Sequence, residues 1–278
     1  MFLASLVGGA AGCVAILFER LGQVVVRWTL GELAGYMPPT ASGEHSIFSD
    51  PTTPFSPWMI VAVMIGGGMI SGMLVYSVAP EAAGAGTDAA IEAFHRHRGV
   101  IRGRVIWVKT IASAVTLGTG GSGGREGPIA QIGAGIGSWI GMRLNLSPRD
   151  RRIMLAAGIG AGVGAIFRAP LAGAVFAAEI LYSDADLESD VIVPAATASI
   201  VAYSIYTRIL PDAARFAPLF GDDLNHVSTS PLELIPYAFL AIVLSLAGIL
   251  YVRVFHRSQV LFDALKVRPQ LRAAIGAG

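Results

Sequence analysis

Cysteine and charge are what this chain of 278 residues has least of. A single cysteine, Cys13, rules out an internal disulfide scaffold. It lies in an apolar run and reads as a small buried hydrophobe. The five histidines (His45, His95, His97, His226, His256) fall in loops or charged flanks without metal-ligand spacing, so they read as solvated, and neither a metal nor a cofactor is expected. Charged residues make up 14% of the chain, against about 25% in an ordinary soluble domain, and a net charge of +1 argues against nucleic acid. Glycine is abundant but has no triplet period, and apolar content is high, so collagen and disorder are excluded too. What is present is 54% hydrophobic residues, 34 glycines and a mean hydropathy of +0.62. That composition cannot cover a soluble surface of this size and points to an all-α polytopic membrane protein.

A helix needs about 20 mainly apolar residues to cross the hydrocarbon. Met1 to Phe18, Pro57 to Pro80, Val191 to Thr207 and Leu234 to Val252 read as full spans. The first lacks the basic start and cleavage site of a signal peptide. Thr110 to Gly124, Gly127 to Met142, Ile153 to Phe167 and Ala169 to Ala178 are shorter. Such broken, Gly-rich segments suit helices that stop inside the bilayer, where they line a cavity or are buried in protein. Basic residues crowd Phe94 to Arg104, Met142 to Arg152 and the tail from Arg253, which places these inside; Gly31 to Ser56, with Glu32, Glu44 and Asp50, falls outside. The acidic loop Ser183 to Asp190 dissents, but acids count little in this rule. Overlapping steps of Gly133, Gly137 and Gly141, and of Gly158/Gly162 and Gly160/Gly164, predict close helix packing within the chain rather than a dedicated dimer motif.

One segment carries chemistry. Gly118-Thr-Gly-Gly-Ser-Gly-Gly-Arg125-Glu126-Gly127-Pro128 is a flexible loop feeding a helix start, where bare N–H groups and the positive end of the helix dipole attract anions. A carboxylate in so apolar a region costs about 2.5 to 3.5 kcal/mol, so Glu126 reads as functional: a tethered anion that a solute anion displaces or a proton neutralises. The plain alternative is a carboxylate that satisfies the helix dipole, paired to Arg125. Other motif readings fail. Gly118-x-Gly120-x-x-Gly123 matches a dinucleotide fingerprint but follows no strand and no βαβ unit; a phosphate loop needs a Lys that is absent; Ser122 as a protease nucleophile needs a histidine within the apolar core. No enzyme activity is expected. A second helix start, Pro80-Glu81-Ala82-Ala83-Gly84-Ala85-Gly86-Thr87-Asp88, has the same design and is placed to aim a second dipole at the same spot. A third feature, Phe167-Arg168-Ala169-Pro170-Leu171-Ala172-Gly173, breaks one apolar run from the next and puts Glu179 near the inner end of the second.

Gly124-Arg125-Glu126-Gly127-Pro128, Phe167-Arg-Ala-Pro-Leu-Ala-Gly173 and Pro80-Glu-Ala-Ala-Gly-Ala-Gly86, with Lys109 between, resemble the CLC family of chloride channels and chloride/proton antiporters. The resemblance implies a multi-pass protein of the cell membrane, a homodimer in the lipid bilayer whose subunits each carry a pore built from two inverted halves of tilted, broken helices. On it, Glu126 is the gate, Arg125, Glu126 and Gly127 form the outer anion site, and Gly84, Ala85 and Gly86 form the inner one. The chain departs from the family pattern in three ways. Ala85 replaces the serine whose hydroxyl binds chloride. Glu179 matches the first of two acids on the proton path, but Ile180 replaces the second, which favours a passive channel over exchange. The chain also ends early in the second half: 1–208 read as the first inverted half, and 209–278 as a connecting loop and the opening helices of the second. The alternative to anion passage is a non-conducting fragment with a structural or interaction role.

Overall fold

The computed structural model describes residues 1–39, 53–182, 189–211, 215 and 230–277. Among these there is no strand, and the α-helices run α1 (Phe2–Val26), α2 (Pro57–Val78), α3 (Thr87–His95), α4 (Arg104–Gly118), α5 (Glu126–Arg143), α6 (Pro148–Ile166), α7 (Pro170–Leu181), α8 (Ser189–Tyr206), α9 (Leu234–Ala264) and α10 (Pro269–Ala277). The chain divides into two compact units, Met1–Phe220 with Pro269–Gly278, and Gly221–Arg268. The smaller unit holds α9, a helix of 31 residues.

Four helical stretches are long and apolar enough to cross a membrane: Phe2–Leu33, Pro57–Val78, Asp190–Ile209 and Leu234–Ala264. The first is far longer than the charge-free run that predicts it. Glu19 and Arg20 do not end it, because both find partners on other elements: Glu19 Oε2 lies 2.9 Å from Arg125 and the Arg20 guanidinium reaches the Ile209 carbonyl. Beyond Val26 the helix widens into π-type turns over Arg27–Leu33, where Arg27 pairs with Glu32 at 2.5 Å. The buried stripe of α1 is Ala4, Val7, Gly8, Ala11, Gly12, Ala15 and Phe18, at the three- and four-residue spacing of one helix face. Cys13 falls off that stripe and is exposed, not buried as its apolar setting suggests.

Glycine sets the spacing of α5, α6 and α8. A Cβ on Gly133 would collide with the Gly158 carbonyl, and one on Gly158 with that of Gly133; one on Gly162 would stand 2.7 Å from the Ile129 carbonyl. Backbones approach this closely only where side chains are missing. The glycine steps thus serve packing within the chain. α10 closes on α2 in the same way, with a Cβ on Gly68 coming to 2.6 Å from the Ala273 carbonyl. At 15 residues, α4 rises about 22 Å, short of the roughly 30 Å of hydrocarbon.

Two of the arginine-rich segments, Phe94 to Arg104 and Met142 to Arg152, lie against each other. Arg151 Nε donates to the Arg98 carbonyl at 2.9 Å, and Ser138 Oγ links Ile101 N and the Gly99 carbonyl at 2.7 Å each. Arg149 pairs there with Asp190, which joins the start of α8 to these segments. Asp184, Asp186, Glu188, Glu44, Asp50, His45 and His226 lie outside the described residues. His95 is exposed but not merely solvated: its Nε2 lies 2.6 Å from the Leu181 carbonyl. The four tryptophans, Trp28, Trp58, Trp107 and Trp139, are exposed, as residues of a membrane interface belt are.

Candidate functional site

The N-terminal ends of α3 and α5 meet. Gly86, at φ +112°, caps α3 and packs so tightly on α5 that a Cβ there would stand 2.7 Å from the Gly127 carbonyl; a Cβ on Gly127 would collide with the Ala85 carbonyl. Gly84 also takes a positive φ, +76°, so both glycines of this turn are required by backbone conformation. The sequence-predicted residues Gly84, Ala85, Gly86, Arg125, Glu126 and Gly127 are therefore brought together.

Three side-chain bonds fix the turn, each on a carbonyl. Lys109 Nζ donates to Ala82 O at 3.0 Å and Gly84 O at 2.7 Å, and Gln131 Nε2 donates to Glu81 O at 2.9 Å. The Glu81 carboxylate is held by Arg102 at 2.5 Å and Arg104 at 3.6 Å. With the carbonyls of Glu81, Ala82 and Gly84 tied off, the neighbouring donors are left. Among the described residues, the amides of Gly84, Ala85, Gly86, Thr87 and Asp88 have no hydrogen-bond partner, nor do those of Glu126 and Gly127. Each helix start adds roughly half a positive charge. Lys109 is 4% exposed, and no carboxylate pairs with it among the described residues. The arrangement is a cluster of bare donors beside an uncompensated buried cation, whose natural complement is an anion.

Arg125 does not pair with Glu126. Its guanidinium goes to Glu19, whose other carboxylate oxygen takes a bond from Gln23 at 3.0 Å. Glu126 is exposed, forms no ion pair among the described residues, and folds its carboxylate back over Gly124, where a Cβ would collide with Oε2. It stands beside the bare amides rather than on them. Glu179 is not brought to this cluster. It lies in the last turn of α7, whose Leu181 meets His95 at the far end of α3, about 13.5 Å along that helix from Gly86. Ile180, next to it, packs against the core.

Sequence reasoning missed Gln131 and Glu19. The first is a lone amide in an apolar helix and the second a carboxylate beyond an apparent span end; in each case the signal is a polar group with no evident partner nearby in sequence.

Fold and site together define a polytopic α-helical membrane protein built around facing helix starts. Residues 67–278 match the family described as "Voltage gated chloride channel", and the chain belongs to that family. It is 33% identical over 180 residues to "H(+)/Cl(-) exchange transporter ClcA" of Klebsiella pneumoniae subsp. pneumoniae, covering 64% of this chain and 35% of that protein. It is 32% identical over 160 residues to "Chloride channel protein CLC-e" of Arabidopsis thaliana, covering 56% and 22%. The chain thus spans about a third or less of the length of these relatives. Among solved structures, "a slow cyanobacterial Cl-/H+ antiporter" superposes with a TM-score of 0.74 at 21% identity, over 99% of this chain and 61% of that one. "A CLC-type fluoride/proton antiporter" does so with a TM-score of 0.76 at 18% identity, over 99% and 62%. These two establish the fold alone.

Proposed function

We propose that this chain supplies one wall of a path by which chloride or a similar small anion crosses the cell membrane, in exchange for protons. The observation that carries the reading is the uncompensated charge of buried Lys109 behind the bare amides of Gly84–Asp88 and Glu126–Gly127. An anion at these bare amides would be held by backbone donors of both helix starts and would balance that cation. Arg125, Glu126 and Gly127 form the outer part of this seat, and Gly84, Ala85 and Gly86 the inner part. With no hydroxyl at Ala85, the inner part binds by backbone alone.

Glu126 is the gate. In its position over Gly124 the carboxylate leaves the amides open; swung onto them, it takes the anion's place, and protonation releases it. Glu179 takes the proton onward, toward the arginine-rich segments. Residues 1–208 form the first inverted half of the pore domain and 209–278 the opening of the second, within a homodimer. The role is transport, not catalysis of a chemical reaction. Exchange is supported by the relatives named as exchange transporters and antiporters. A passive channel is the second reading, favoured by Ile180 where a second acid belongs on the proton path. The full-length protein in liposomes separates them: an outward chloride gradient that drives protons uphill supports exchange, and chloride flux without proton movement supports the channel.

A further inference from the structure

We infer that Gln131 is a positioning residue that sets the anion affinity and selectivity of the Gly84–Asp88 turn; this rests on the anion-path reading. The side chain is 1% exposed and stands five residues beyond Glu126 on α5, about 7.5 Å along the axis. Its Nε2 donates to Glu81 O, the first carbonyl of the turn that presents the bare amides. Its Oε1 is buried and has no partner. A buried amide left half satisfied costs about 1–3 kcal/mol, which an apolar side chain of the same size would avoid, so the donor is what the site gains from a glutamine. The turn needs such a hold. It contains two positive-φ glycines, and its residues Gly84, Ala85 and Gly86 offer no side-chain hydroxyl, so these three place their donors by backbone position alone. Lys109 fixes the carbonyls of Ala82 and Gly84 from α4; Gln131 alone ties the turn by a side-chain hydrogen bond to α5, the helix that carries Glu126. The inner donors and the gate then move as one body, with the spacing that selects an anion fixed between them.

The test is calorimetric titration of chloride and nitrate into the purified full-length protein, together with flux from liposomes across pH. Gln131→Leu is expected to weaken chloride binding about tenfold, the equivalent of one hydrogen bond of 1.4 kcal/mol, and to shrink the preference between the two anions. The pH dependence of flux, which depends on the gate Glu126, stays as in wild type. Gln131→His keeps a donor and restores chloride binding to within about twofold of wild type. Gln131→Met serves in place of Gln131→Leu if that variant does not fold. Unchanged chloride affinity without the donor overturns the inference, as does equal weakening in the His and Leu variants, which would make the effect one of packing. A wild-type protein that binds no halide at all overturns the transport reading itself and this inference with it.

Discussion

Lys109 does two things at one atom: it satisfies the carbonyls of Ala82 and Gly84 and places a charge behind the amides. Lys109→Met removes both. Each buried carbonyl left without its donor costs about 1–3 kcal/mol, so this variant should lower the melting temperature in detergent and weaken chloride binding tenfold or more. A melting temperature and a chloride affinity both equal to wild type would show the lysine to be incidental. Residues of this kind differ in how plainly the sequence marks them. Glu126 and its glycines are legible because a charge in an apolar run and a glycine-rich loop before a proline are local signals. Gln131, Glu19 and the pairing of Arg125 are not, because each depends on a partner at least 50 residues away that only the fold brings near.

Helices α5 and α6 hold the start of α5 in place by backbone contact at Gly133 and Gly158. Gly158→Ala should cost about 1–3 kcal/mol through overpacking, read as a fall in melting temperature. Gly66→Ala, on α2 with nothing within 4 Å of the added methyl, should leave it unchanged. Equal behaviour of the two would mean the glycine contact is not tight. The glycine steps and most helix spans can be read from composition and spacing, whereas the end of α1 cannot. A pair of charges normally marks a membrane boundary, and here Glu19 and Arg20 are absorbed by Arg125 and the Ile209 carbonyl. Glu19→Gln should loosen the start of α5 and lower the melting temperature, by less than Gly158→Ala if the ion pair, 13% and 37% exposed on its two sides, is partly screened by solvent.

Across the whole molecule, two helix starts from distant parts of the sequence meet, with three carbonyls of the turn before α3 tied back and the donors of both starts left bare. The chain accounts for 35% of one relative's length and about 61% of one structural neighbour's, so transport is measured on the full-length protein. The most direct measurement is chloride flux from liposomes between pH 4 and pH 8, in wild type and in Glu126→Gln. The account predicts a wild-type flux that rises as pH falls, and a variant whose flux is high and flat across the range, with no protons carried uphill. A variant that keeps the wild-type pH dependence and proton movement would contradict it.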